Sequence, residues 1–157
     1  MVQNAECPPG ALRVKPGKKK LAKLFKKAKK QNKKFIYFEN GIHDEKGKMI
    51  VVDFPVTIIG ASRGRCIFKG GFTIVGKEED NVAIANLTIC QSKELGVAGK
   101  GASVQLNKVT VDLCDLGGVA VFMNRNSMTD CKISNSKGSG LMVFNGGLMT
   151  IDGDTTT

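Results

Sequence analysis

From residue 82 onward, apolar positions return every 22 residues. Leu87, Val109 and Cys131 form one column, Ile89, Val111 and Ile133 a second, and Gly96-Val97, Gly118-Val119 and Gly140-Leu141 a third. The same register joins Val82 to Val104, Ile84 to Leu106 and Met128, Ser92 to Cys114 and Ser136, and Phe122 to Phe144, and Ile67 extends the Ile89 column backward. Separate columns that agree on one spacing without gaps mark internal repetition, each repeat being a unit that buries its core only by stacking on its neighbours. Within the repeats, alternating runs such as VAIANLTI, VQLNKVTV and SMTDCKI are separated by Gly, Asn and Ser. These are strands too short to form a sheet alone.

A period of this length is too short for paired helices and lacks the LxxLxLxxN pattern of a leucine-rich repeat. Three short strands and three turns fill it. Stacked in register, each strand pairs in parallel with its equivalent one coil later, about 4.8 Å away, and the inward side chains form apolar ladders. The expected fold is an all-β solenoid, a single-stranded parallel β-helix of about five coils over residues 35–157. Lys93, Asp115 and Lys137 then make an outward column of alternating sign, favourable between adjacent strands.

Residues 1–34 read as a basic N-terminal arm and a capping helix. Leu21, Leu24, Phe25 and Ala28 fall at i, i+3, i+4 and i+7, one stripe of an α-helix, with lysines around the rest. Pro16-Gly17 bounds the pattern in front, Gln31-Asn32 ends it, and FIYF switches the period to extended. So much like charge leaves a short helix poorly stable alone, so its apolar stripe must dock.

The stretch LAKLFKKAKKQNKKFIYFENGIHDEKGKMIVVDFPVTIIGAS resembles the opening of the pectin-lyase-like right-handed β-helix family, which has carbohydrate-binding and sugar-hydrolase members. In that family a helix caps the first coil, a strand leads to a turn of the type PGxY, and a strand ending in a phrase like VTLIG follows. Here Glu39-Asn40-Gly41-Ile42 holds the place of the turn and Val56-Thr57-Ile58-Ile59-Gly60 matches the second phrase. The resemblance implies a right-handed solenoid behind the cap. Enzymes similar to this fold bear aspartate clusters, sometimes with calcium, or an aspartate with an arginine, on a sheet walled by long loops. The unbroken spacing from Gly96 to Gly140 leaves no insertion for such walls, and no catalytic residue is carried over.

Charge sharpens the division of the chain. Residues 13–34 hold 12 of the 24 basic residues and none of the 14 acidic ones, so the remainder nets −2 and attraction to anions belongs to this segment. Lys18, Lys19, Lys20, Lys23, Lys26, Lys27, Lys29 and Lys30 are its candidate polyanion-binding residues, through phosphate contacts and counterion release. KKAKKQNKK also has the composition of a nuclear-import signal, and a solvated capping face is the plainer reading of the same lysines. No aromatic platform for base readout accompanies them.

Catalytic chemistry has weak candidates. Asn86, Lys108, Asp130 and Asp152 share a column, in which two carboxylates one coil apart could split their pKa values for acid–base work, although solvated turns explain them more simply. His43 beside Asp44 and Glu45 could act as a base but reads as part of a solvated turn. Asn86-Leu87-Thr88 has the glycosylation-acceptor pattern, which lacks meaning without export. Five cysteines without a CxxC pair, and a single histidine, argue against zinc, and Cys66, Cys90 and Cys131 among aliphatic residues read as small buried hydrophobes in a reducing compartment.

Two features point to partner binding. Val119, Val121, Leu141 and Val143 alternate inward, leaving Ala120, Phe122, Met142 and Phe144 as an outward apolar strip. The last coil, with Leu148 and Ile151, has no capping element, so strand edges and ladder ends invite association with other chains or with itself. Phe122, Met142, Phe144, Leu148 and Ile151 are the expected partner-binding residues. The reading is a non-catalytic binding or structural module of a larger assembly, a virus particle being one such setting, without cofactor or metal. A carbohydrate-active enzyme or carbohydrate-binding protein of the pectin-lyase-like type is the alternative, weakened by one tyrosine and no tryptophan for sugar stacking. The opening MVQNAECPPG lacks an export signal and no stretch has the apolar length of a membrane span. The expected location is therefore intracellular, in the cytoplasm or nucleus, or within a virus particle.

Overall fold

The computed structural model describes residues 4–17 and 19–153. The chain runs through β1 (Leu12–Val14), helix α1 (Leu21–Lys30), β2 (Phe35–Phe38), β3 (Gly41–Val52), β4 (Val56–Gly60) and β5 (Cys66–Val75). Regular coils follow: β6 (Asn81–Ala85), β7 (Thr88–Cys90) and β8 (Leu95–Lys100), then β9 (Ser103–Asn107), β10 (Thr110–Asp112) and β11 (Gly117–Phe122). The third comprises β12 (Arg125–Thr129), β13 (Lys132–Ser134) and β14 (Leu141–Phe144), and β15 (Leu148–Asp152) begins another.

Together these elements form a parallel β-solenoid of about six turns with one short helix among the described residues. The extra turn relative to the expected five comes from β1, which lies ahead of α1 yet pairs with β2 through Leu12↔Ile36. One face is the sheet β1-β2-β4-β6-β9-β12-β15. The other strands form two faces, β7-β10-β13 and β8-β11-β14, joined through β5. The first half of β5 pairs with β7 and its second half with β8, so this long strand turns the corner that shorter strands cross by a break. Gly71 sits at that corner, where a Cβ would collide with the Leu95 carbonyl and the Met49 sulfur.

From β6 onward most pairings keep the 22-residue offset, as in Val82↔Val104, Met128↔Leu106, Ile89↔Val111↔Ile133 and Val97↔Val119↔Leu141. Pairings that involve the earlier strands vary in offset, from 21 to 26 between β4 or β5 and the strands that follow. β4 pairs with β6 through Val56↔Val82, and β5 meets β7 through Phe68↔Ile89, not Ile67↔Ile89. Ile67 therefore does not belong to the Ile89 column. A one-residue shift exchanges the faces of a strand, which is why Phe68 is buried and Ile67 is not.

The interior is a set of ladders. Ile36, Ile58, Ile84, Leu106 and Met128 stack rung on rung and are all sealed from solvent. At the helical end the filling becomes aromatic: Phe25 of α1 lies 6.3 Å from Phe38 and 6.0 Å from Phe72, and Phe68 stacks on Phe72 at 4.4 Å. Leu21, Phe25 and Ala28 are buried and Leu24 packs against the core, so the stripe plugs this end. Its first turn lacks a side-chain cap of its own, and the Leu21 N–H donates instead to Glu45 Oε1 at 3.4 Å. One polar rung is fully partnered. Asn126 Oδ1 accepts from the Val104 N–H at 2.9 Å, and its Nδ2 donates to the Met123, Asn124 and Leu148 carbonyls.

The corners repeat a left-handed residue. Asn86, Lys108 and Asp130 have φ of 60°, 53° and 51°, and Gln91, Leu113 and Asn135 have 55°, 56° and 51°. Apart from glycine, only Asn and Asp tolerate this region cheaply, so Gln91, Lys108 and Leu113 hold it because pairing between coils imposes it. Arg63 ties the coils from outside: its Nε donates to Thr110 Oγ1 at 2.8 Å and its two Nη atoms to the Asp130 and Val109 carbonyls at 2.7 and 3.3 Å. Its own carbonyl accepts from Thr88 Oγ1 at 2.7 Å.

Two substitutions test this framework. Val109→Asp places a charge in a fully buried column between Leu87 and Cys131, at a cost on the order of 4 kcal/mol; an unchanged melting temperature would contradict the ladder. Leu113→Asn relieves left-handed strain at an exposed corner and should raise the urea midpoint, by about 1 kcal/mol in stability. A lowered midpoint would mean that Leu113 contributes packing the geometry does not reveal.

Candidate functional surfaces at the two ends

At the last coil the ladders run out. Ile151 is the next rung after Met128, yet it is 55% exposed, and Val143, the rung after Val121, is 40% exposed. Leu141, Met149 and Ile133 are partly buried ladder ends. The outer edges of β13, β14 and β15 have no strand partner among the described residues. Sequence patterning named Ile151 for this end but placed Val143 inside, because alternation tells which way a side chain points and not whether another rung lies over it.

The outward strip takes a different form from the one expected. Phe122 and Phe144 stack at 4.8 Å with 17° between ring planes, and Phe144 is 41% exposed. Met142 does not project: its Cε lies within 2.9 Å of where a Cβ on Gly117 would stand. Ala120, expected outward and open, is buried beside Met142 because longer neighbours close over so short a side chain. Leu148 points outward beside Arg125 and is 52% exposed. The structure thus gathers Phe122, Met142 and Phe144 on one face, while Leu148 and Ile151 lie on the final strand of another.

At the opposite end the lysines separate into groups. Lys18 lies outside the described residues. Lys19 and Lys20 are exposed near Asp44, Glu45, Lys46 and Lys48, a mixed environment. Lys29 pairs with Asp53 at 2.9 Å. Lys23, Lys26, Lys27 and Lys30 are exposed and, with Gln31, line a shallow depression on the solvent side of α1.

The acid pair is not assembled as the repeat implies. β15 pairs with β12 at an offset of 23, so Asp152 stands opposite Thr129, and the Asp130 N–H donates to the Asp152 carbonyl at 3.2 Å. The extra residue is accommodated in the turn at Asn145 and Gly146, both with positive φ. Asn86-Leu87-Thr88 is spent on structure: Asn86 Nδ2 donates to the Gly60 and Ala61 carbonyls, Leu87 is buried, and Thr88 caps Arg63. Lys93, Asp115 and Lys137 do align, with Lys137 Nζ 2.7 Å from Asp115. Cys66, Cys90, Cys114 and Cys131 are buried thiols outside any disulfide, whose pKa values burial raises, that of Cys66 to about 12, which leaves them protonated and poorly nucleophilic near neutrality. Among the described residues no group of three or more His, Cys, Asp or Glu side chains is placed to hold a metal ion. No helix among the described residues is long and apolar enough to cross a membrane.

His43 overturns the expectation of a solvated turn. It lies within β3, opposite Phe68, and is only 1% exposed. Its ring stands edge-on to Phe38 at 4.8 Å, and Nε2 lies 2.7 Å from the Glu39 carbonyl, which requires the proton on Nε2. Nδ1 is buried without a partner, and burial lowers the pKa below its ordinary value. A base sealed from solvent cannot reach a substrate, so His43 is a core residue that folding keeps neutral.

Because the folded pKa lies below the ordinary 6.5, the unfolded chain binds the proton more readily. Stability from neutral His43 is full above pH 6.5 and falls as pH drops through 6.5 toward the folded value. Urea midpoints measured from about pH 7.5 to about pH 5.5 should decline for the native chain and flatten for His43→Leu. Parallel declines in both would assign the effect to other groups. Comparison of the chain with family models, with curated proteins and with solved structures gives no match.

Proposed function

We propose that this β-solenoid is a non-catalytic binding and building module that docks on another protein chain, or a second copy of itself, through its last coil. The observation that supports it best is the run of ladder ends Leu141, Val143 and Ile151 beside the stacked Phe122–Phe144 pair. Water satisfies the open N–H and C=O groups of an edge strand but not these side chains, whereas a further rung or an apolar partner surface satisfies both. A larger assembly, a virus particle among them, is the setting in which such a unit works.

The second reading is a carbohydrate-binding protein of the pectin-lyase-like type. The uncharged columns Thr57–Ala83–Gln105–Ser127 and Ile59–Ala85–Asn107–Thr129 on the outer face of the first sheet favour it. Against it stands Tyr37, the only tyrosine, which is buried with its hydroxyl donated to the Ala5 carbonyl at 2.8 Å. It offers no stacking platform for a sugar.

Hydrogen exchange on the isolated chain and on the complex purified from its native source separates these readings. Amides from Leu141 to Ile151 should be at least about tenfold better protected in the complex. Equal protection in both states would end the docking proposal, and a glycan that protects 105–129 instead would establish the second reading.

A further inference from the structure

We propose that the solvent face of α1 is a docking ridge for the phosphate backbone of a nucleic acid. Its elements are Lys23, Lys26, Lys27 and Lys30, at i, i+3, i+4 and i+7, all exposed on the side opposite the buried Leu21, Phe25 and Ala28. Residues at that spacing share one helix face and span about 10 Å along the axis, so four like charges are held in one short row.

Unlike Lys29, these four lysines are in no ion pair among the described residues. Arg13–Glu39, Lys29–Asp53 and Lys137–Asp115 are ion pairs of the described residues, and none involves the ridge. The acids near the front of α1 are Asp44 and Glu45, whose neighbours are Lys19, Lys20, Lys46 and Lys48. The ridge therefore carries uncompensated repulsion, which helix propensity alone would not hold. It persists because Phe25 is locked between Phe38 and Phe72. A rigid base bearing repelling cations is prepared for an anion, whose binding relieves the repulsion without ordering the helix.

The same burial selects among polyanions. A helix that lies on an anionic membrane needs an apolar face to insert, and here that face is consumed by the core. Phe25 of the helix and the rings packed on it, Phe38 and Phe72, are also buried and unavailable for stacking on bases. What remains is a row of point charges, which suits a line of phosphates and reads no sequence. Duplex DNA has the dense line charge for such a row, one negative charge per about 1.7 Å.

The test is binding of the full chain to a labelled duplex of arbitrary sequence, about 20 base pairs long, across a salt series. If four lysines each neutralise a phosphate, log K falls against log salt with a slope of about −3.6. The variant Lys23→Gln, Lys26→Gln, Lys27→Gln, Lys30→Gln should lose at least about a hundredfold in affinity at low salt and most of that slope. Its melting temperature should not drop, since glutamine keeps helix propensity and removes repulsion. Lys108→Gln with Lys132→Gln, remote from the helix, should change neither quantity. Unchanged binding by the ridge variant overturns the proposal. So does equal binding of the native chain to phosphatidylserine vesicles or to polyglutamate at matched charge, which would assign the ridge to a membrane or an acidic protein.

Discussion

The structure depends on one interaction, the stacking of each inward side chain on its equivalent one coil before. A single coil has almost no interior, because three short strands around an axis can bury side chains only if a second coil closes over them. Parallel pairing brings that coil to within about 4.8 Å and makes the backbone and the apolar ladder form together. Ile36, Ile58, Ile84, Leu106 and Met128 are thus a continuous column of contact running most of the length of the molecule. The corners obey the same constraint, which is how Lys108 and Leu113 come to occupy a conformation their side chains disfavour.

A ladder has ends, and the two ends differ. At one, α1 lies across the opening and fills it with Phe25, so the apolar face of the helix is fully used and its charged face is left to solvent. At the other, the final rungs expose Val143 and Ile151, with Phe144 stacked alongside. Both proposed interactions follow from this asymmetry. The closed end offers charge on a rigid support, and the open end offers apolar surface with unpaired backbone.

Between the ends, groups that could do chemistry are engaged in holding the stack. Asn86 donates to the Gly60 and Ala61 carbonyls, Thr88 to the Arg63 carbonyl and Arg63 to the Asp130 carbonyl, all across coils, and His43 is packed on Phe38. The repeat does not mark Arg63, which precedes the regular register. No local pattern marks a side chain whose partners lie 46 and 67 residues away.

The sequence by itself determined the solenoid, the 22-residue register from Val82 onward and the docking stripe of the helix. Each of these is a periodicity, and periodicity is a local consequence of burying one face of a repeated unit. Only the tertiary structure decided what depends on a neighbour rung: that Phe68 and not Ile67 joins the Ile89 column, that His43 is sealed and Ala120 covered, and that Asp152 faces Thr129. It also decided which lysines have an acid beside them. Coil lengths that depart from the period, as at Val56↔Val82 and Arg125↔Leu148, shift only the pairings that span the inserted residues. The shift becomes visible only when the coils are stacked, because the hydrogen bonds that fix it join residues far apart in the chain.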